Sequence, residues 1–138
     1  MNNIIIGDAD SLIALADKQD ANHQKAKRIS QWLNLKRFQV IYPNTAILET
    51  ITALSRAKNL PDKAKLINKQ YLAGAFTVEY VNLEIQTKAA IIFETRSQSK
   101  QNTIFDAIVA ATANKFETNL IFSFDDWYPK PGFKLAGE

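Results

Sequence analysis

Four acidic residues occupy positions that surface solubility does not explain. Asp8 follows the aliphatic run at residues 4–6, and Asp125 follows a second such run near the end of the chain. Glu49 and Asp106 lie within largely apolar segments that have helical periodicity. Carboxylates that are brought together raise one another's pKa unless a cation neutralises them. The set therefore predicts a site for Mg²⁺ or Mn²⁺, hard divalent ions that prefer oxygen ligands.

The composition limits the other kinds of chemistry. The chain has no Cys and one His, which excludes thiol nucleophiles, Cys-ligated zinc and a pair of His ligands. Any metal ion must therefore be held by oxygen. One or two such ions can turn water into a nucleophile and stabilise the charge that develops on a phosphate in the transition state.

Each acid also has an ordinary structural explanation. Asp106 follows Thr103 by three residues, which is the spacing of a helix capping box. Glu49 precedes Arg56 by two helical turns, so the two could form an ion pair. Turn or helix-capping roles are open to the remaining acids of this kind: Asp10, Asp125 and Asp126.

Strand-like and helix-like segments alternate along the chain, which predicts an α/β fold. The predicted strands cover residues 4–6, 38–42, 76–81 and 120–124. Four of the predicted helices cover residues 12–16, 20–35, 61–74 and 103–116, and the first of them is expected to be capped by Asp10 or Ser11. A fifth is expected to be capped by Asn44. A sixth is expected to begin at Asn82 and to fray in SQSKQN. No repeat or linker divides the sequence, so we expect a single domain over residues 1–138.

The predicted topology places two of the acids at one edge of the sheet. In open α/β sheets, ligands bind outside the carboxyl ends of the strands. Asp8 and Asp125 both follow predicted strands and fall at this edge. The lone His23 lies in a polar helix and is expected at the surface, and no role is assigned to the aromatic residues Trp32, Trp127 and Tyr128.

The charges are unevenly distributed, although the net charge is only +3. Residues 18–73 carry eleven Lys or Arg and three acids, residues 74–138 carry six and eight, and residues 1–17 carry three acids and no base. A basic middle beside acidic ends can attract a polyanion while a separate carboxylate site is kept. Basic side chains that merely solvate helix faces are the alternative explanation.

The sequence carries no sign of a membrane segment. No stretch approaches the roughly 18 apolar residues of a membrane span, and the amino terminus lacks the basic start of a signal peptide. We therefore expect a soluble, cytoplasmic protein.

Four segments resemble the motifs of a known family: IIIGDADSLIAL, NTAILETITAL, TIFDAIVAATA and LIFSFDDWY. In this order and spacing they are similar to the four acidic motifs of PIN-domain ribonucleases, and most closely to the VapC-type toxins of bacterial toxin–antitoxin modules. The resemblance covers nearly the whole chain. By position, Asp8, Glu49, Asp106 and Asp125 match the four acids of the family, and Ser123 matches its small hydroxyl residue two positions before the last acid.

The resemblance implies both a fold and a function. The implied fold is a three-layer sandwich with a central parallel sheet flanked by helices. The implied activity is cleavage of single-stranded RNA by an endoribonuclease that holds Mg²⁺ or Mn²⁺ on Asp8, Glu49, Asp106 and Asp125. The implied partners are a second copy of the chain and a cognate antitoxin.

The sequence departs from the family pattern after the first acid. The family usually has Thr or Ser directly after that acid, whereas this chain has Ala9 and Asp10. A hydroxyl contact near the metal is therefore missing or moved to Ser11. At the fourth motif, Asp125 is preferred to its neighbour Asp126 because Ser123 and Tyr128 then match the hydroxyl and aromatic positions of the family.

Two other functions stay open at this point. DADSL after a strand also resembles the nucleophile motif of haloacid-dehalogenase-type phosphatases, in which Asp8 would be phosphorylated and Asp10 would act as acid and base. That alternative leaves Glu49 and Asp106 unexplained. The third possibility is a PIN-like module that binds RNA or protein without cleaving, but mutually repelling carboxylates give such a module no advantage.

Overall fold

A wholly parallel sheet lies at the centre of the computed structural model, which describes residues 2–96 and 102–137. Its strands are β1 (Ile4–Gly7), β2 (Gln39–Pro43), β3 (Thr77–Glu79), β4 (Leu120–Phe122) and β5 (Lys134–Leu135). The helices are α1 (Ala9–Ala16), α2 (His23–Leu35), α3 (Asn44–Ser55), α4 (Pro61–Leu72), α5 (Leu83–Arg96) and α6 (Ile104–Lys115). The strand order is β3-β2-β1-β4-β5. The predicted α/β class with a parallel sheet flanked by helices is thus confirmed.

The central strands are aliphatic because both faces of the sheet are covered. Ile6 pairs in register with Ile41 and Ile121, and all three are buried on the face that packs against α6. On the opposite face, Ile5 and Phe122 pack in one cluster with α1 and α2. Helices α3 and α4 extend that second layer, since their apolar residues pack around Tyr42 of β2.

The direction in which strands are added to the sheet reverses between β1 and β4. From β1 the chain proceeds to β2 and β3 on one side, whereas β4 and β5 are added on the other side. The backbone N–H of Asp8 donates to the carbonyl of Phe122 at 3.1 Å, which ties the ends of these two strands together. This is the topological switch point at which parallel α/β sheets bind their ligands.

Several local expectations were wrong. Helix α1 is capped by Asp8, whose Oδ1 accepts the N–H of Ala9 at 2.7 Å, and not by Asp10 or Ser11. Asn44 does not cap α3, because its side chain accepts the N–H of Val81 at 2.8 Å. His23 is buried, and its Nδ1 lies 2.7 Å from the carbonyl oxygen of Ala14.

The predicted element boundaries also differ from the observed ones. Strand β5 was missed because it has two residues and follows a segment rich in Pro and Gly. Strands β3 and β4 are each shorter than predicted, and α2 begins at His23 and not at Asp20. Most of the predicted fraying segment, residues 97–101, lies outside the described part of the chain. Within the described part, no helix is long and apolar enough to cross a bilayer.

The packing of β1 against Tyr42 is expected to require a residue without a side chain at Gly7. A Cβ atom added there would overlap the ring of the buried Tyr42, whose Cδ1 atom would lie only 2.7 Å away. We expect Gly7→Ala to lower the free energy of unfolding by about 1–3 kcal/mol, the usual cost of overpacking a core. Urea unfolding measures this change. In a Tyr42→Leu background the added cost of Gly7→Ala should shrink, and an undiminished cost there would show that the ring overlap is not its cause.

Candidate active site

Asp8 lies at the centre of the crevice between the ends of β1 and β4. It is 5% exposed. Its Oδ2 accepts the hydroxyl of Tyr128 at 2.7 Å and lies 3.2 Å from the Ser123 hydroxyl, while its Oδ1 accepts the N–H of Ala9. Burial raises the pKa of Asp8, although these hydrogen bonds oppose the rise. Both oxygens of the carboxylate are therefore held in place.

Asp10 is a fifth acid of this crevice. Its Oδ2 accepts the N–H of Phe124 at 2.9 Å and lies 3.0 Å from the Ser123 hydroxyl. Its Oδ1 is buried and has no hydrogen-bond partner. Burial, followed by the charge of Asp8, raises the pKa of Asp10 to about 7. The position that departs from the family pattern thus adds a carboxylate to the crevice.

The hydroxyl contact near Asp8 comes from Ser123 and not from Ser11. Ser123 directly follows β4, and its oxygen lies within hydrogen-bond distance of the carboxylates of both Asp8 and Asp10. The Ser11 hydroxyl instead donates to the backbone carbonyl of Asp8 at 2.8 Å and lies 3.3 Å from the Tyr42 hydroxyl. Ser11 therefore supports the turn after β1 and does not reach the carboxylates by a hydrogen bond.

Glu49 reaches this region from α3, which begins directly after β2. Burial raises the pKa of Glu49 to about 8, with further contributions from the charges of Asp8, Asp106 and Asp10. The alternative pairing with Arg56 is absent from the ion pairs of the described residues. The surroundings of Glu49 are therefore acidic.

Asp106 combines the two roles that the sequence left as alternatives. It lies in the first turn of α6, where its Oδ2 accepts the N–H of Thr103 at 2.9 Å. Burial raises the pKa of Asp106 to about 7, and the charges of Asp8 and Asp125 add to the rise. The residue thus caps its helix and also belongs to the electrostatic cluster.

The charge of Asp125 raises the pKa values of other acids of the crevice. Its charge contributes to the raised pKa values of Asp8, Asp10 and Asp106. A loop fixes its side chain, because Oδ1 accepts the N–H of Trp127 at 2.9 Å. Asp126 is exposed. Asp125 as the fourth acid of the site stays a prediction.

The five carboxylates interact electrostatically but do not form a closed ligand shell. Across residues 2–96 and 102–137, no three Asp, Glu or His side chains are grouped so as to hold a metal ion as they stand. The donors nevertheless suit a hard divalent cation, because all of them are oxygen and one buried oxygen, Asp10 Oδ1, lacks a partner. Burial and, after it, the charges of neighbouring acids raise the pKa values of these carboxyls, and a cation would favour their ionised form.

Tyr128 is the residue of the crevice to which the sequence assigned no role. It is fully buried and donates its hydroxyl to Asp8. Burial and the charge of Asp8 raise its pKa well above 10, so the phenol keeps its proton and stays a donor. The only sequence signal for this contact was its position in the fourth motif, five residues after Ser123.

Two comparisons with known proteins found matches. The family profile described as PIN domain matches residues 5–134. Among solved structures, the VapC20 toxin of Mycobacterium tuberculosis, described as a sarcin–ricin loop cleaving toxin, is similar in fold with a TM-score of 0.80. The two chains are 25% identical, and the match covers 94% of this chain and 96% of VapC20. No curated protein sequence matches the chain at a significant level.

The family match runs from the second residue of β1 to the first residue of β5 and includes every acid of the crevice. The resemblance that the four acidic motifs indicated is therefore confirmed over nearly the whole length. The chain belongs to the PIN domain family.

Proposed function

We propose that this protein is a Mg²⁺- or Mn²⁺-dependent endoribonuclease that cleaves single-stranded RNA. The observation that carries the proposal is the set of carboxylates around Asp8, at the switch point of a PIN-domain sheet, whose pKa values are raised by burial and by the charges of neighbouring acids. The likeness to VapC20 supports a role as the toxin of a toxin–antitoxin pair. A cognate antitoxin, a homodimeric assembly and a cytoplasmic location belong to the same proposal.

The metal would be held by the acids of the crevice: Asp8, Glu49, Asp106 and Asp125, with Asp10 as an additional ligand. When bound, a divalent cation supplies positive charge for the carboxylates, an activated water and a counter-charge for the phosphodiester. Carboxyl groups with raised pKa values are partly protonated in its absence. They can release those protons when positive charge enters the crevice.

Hydrogen bonds from uncharged groups keep the central acid in one orientation. Tyr128 and the N–H of Ala9 donate to opposite oxygens of Asp8. Ser123 lies between Asp8 and Asp10, and its oxygen accepts the N–H of Asp125 at 3.1 Å. Such supporting contacts fix the direction of a metal ligand and tune its basicity.

RNA cleavage is expected only with Mg²⁺ or Mn²⁺, and EDTA should stop it. Glu49→Gln should lower the cleavage rate of a single-stranded RNA by about 100-fold or more, because it removes a ligand charge while the fold persists. Asp62→Asn, an exposed acid in the first turn of α4, is the matched control and should keep the wild-type rate. Asp125→Asn should lose more activity than Asp126→Asn.

Cleavage at the full rate in EDTA would contradict this mechanism. An acid-stable acyl phosphate on Asp8 would support the phosphatase alternative instead. RNA binding by the metal-loaded protein without any cleavage would support the non-catalytic alternative.

The metal-free protein is expected to lose stability as pH rises. The carboxyls of Asp10, Glu49 and Asp106 have folded-state pKa values of about 7 to 8, above their ordinary values of 3.8 to 4.5. The folded chain therefore binds more protons than the unfolded chain between these limits. Their contribution to stability is fully present below pH ~4 and is lost as pH rises through ~7 to ~8. Thermal melts in EDTA across this range measure the decline.

Asp106→Asn should raise the melting temperature in EDTA at pH 8 and reduce the shift that Mn²⁺ produces. Asn keeps an oxygen that can accept the N–H of Thr103, but it removes the like charge near Asp8. Wild-type protein gains about 2.7 kcal/mol from a ligand at a hundredfold excess over Kd, or several degrees. Asp106→Ala loses both the charge and the hydrogen bond to the N–H of Thr103. Its comparison with Asp106→Asn therefore separates the effect of the charge from that of the helix cap. A destabilised Asp106→Asn with an undiminished Mn²⁺ shift would remove Asp106 from the metal site.

A further inference from the structure

A basic side chain of α2 lies next to the crevice. The ammonium of Lys25 is 5.7 Å from the centre of the Phe124 ring, a distance compatible with a cation–π contact. Lys25 and Phe124 line a hollow of about 140 Å³ together with Ser123, whose hydroxyl contacts Asp8 and Asp10. The exposed carboxylate of Asp126 also lines this hollow. The hollow therefore lies between Ser123, at the edge of the crevice, and the amino-terminal half of α2.

A second groove continues from the same lysine. It has a volume of about 260 Å³ and is lined by Lys25, Arg28, Ile29, Trp32 and Gly137. Lys25, Arg28 and Trp32 are three and four residues apart, so they lie along one face of the helix. They extend over about 10 Å of the helix axis. The hollow and the groove share Lys25 and together form a path along α2 that starts beside Ser123.

The two cations of this path are free of carboxylate partners. Within the described residues, Lys25 and Arg28 take part in no ion pair. Lys58, another base of the basic middle segment, is by contrast paired with Asp17 and Asp20. An exposed unpaired cation can neutralise a phosphate without first breaking an internal ion pair.

Trp32 supplies an exposed and supported aromatic ring at the far end of the path. It is 44% exposed, whereas Ile29 and Leu33 of the same helix are buried and Leu35, at the end of the helix, is 80% exposed. Its ring stacks on Phe38 with the ring centres 5.7 Å apart and the planes inclined by 24°. Stacking on Phe38 holds the ring in one orientation, which lowers the entropic cost of placing a base against it.

We propose that the α2 track, defined as Lys25, Arg28 and Trp32, binds the part of a single-stranded RNA that flanks the scissile phosphate on one side. The two cations contact successive phosphates, and a base stacks on Trp32. Cations next to an exposed aromatic ring are the combination that binds single strands without reading their sequence. This inference rests on the proposed ribonuclease function.

The test measures the affinity of a labelled single-stranded oligoribonucleotide in EDTA, where it is not cleaved, at several salt concentrations. Lys25→Gln/Arg28→Gln should weaken binding by about tenfold or more and flatten the slope of log K against log salt by about 1.4, since two phosphate contacts are lost. Trp32→Leu should weaken binding by about fivefold or more with an unchanged slope, because stacking releases no counterions.

The matched control is Lys65→Gln/Lys69→Gln on α4, which removes the same charge from two exposed lysines outside the track. Equal losses in the track and control variants would overturn the α2 track and leave only a general charge effect. Track variants that bind RNA normally but fail to bind a protein partner would also overturn it and assign the face to that partner.

Cleavage assays separate this inference from the function on which it rests. Metal-dependent cleavage by wild type, with a raised KM for RNA in the track variants, supports both. Cleavage by wild type and an unaltered KM in the track variants overturns the track alone. A wild-type protein that neither binds nor cleaves single-stranded RNA with Mn²⁺ overturns both. The Mn²⁺-induced shift in melting temperature should be the same in wild type and the track variants, because no track residue belongs to the carboxylate cluster.

Discussion

A carboxylate that is almost completely removed from water needs compensation from the protein around it. Asp8 receives that compensation from an amide of its own helix and from a phenol near the end of the chain. Its backbone N–H is also part of the pairing between β1 and β4. The same residue therefore terminates a strand, caps a helix and provides the charge that the other acids experience. Displacing Asp8 would disturb the sheet, the start of α1 and the crevice together.

The other acids belong to elements whose positions are determined by packing in the core. Helix α3 packs its apolar residues around Tyr42, and this packing places Glu49 near the other acids. Helix α6 covers the central strands with a row of small residues and begins at the crevice, so that Asp106 can serve both the helix and the cluster. Placing several acids near one another is unfavourable in itself. The core of the sheet must therefore supply the free energy that keeps them together.

Sequence patterns were sufficient for the parts of this structure that depend on periodicity. Alternating strands and helices determine the α/β class, and short motifs identified Asp8, Glu49, Asp106 and Asp125 as candidates for the site. Contacts between residues far apart in the chain were beyond such patterns. Tyr128 donates a hydrogen bond to Asp8, which lies 120 positions earlier in the sequence. The burial of His23 and the two-residue β5 are likewise consequences of packing, because neither has a local signal in its own segment.

The pairing of the first strand with the fourth has a consequence for the order of events during synthesis. Three of the five acids, Asp8, Asp10 and Glu49, are in the first half of the chain, and β1, β2 and α3 can begin to pack before translation is complete. Ser123 and Tyr128 are made 115 and 120 residues after Asp8, and β4, the neighbour of β1, is made just before them. Domains fold while the chain grows from its amino terminus. A nascent chain therefore lacks the hydroxyl groups that orient Asp8 until the segment that contains Ser123 and Tyr128 has left the ribosome.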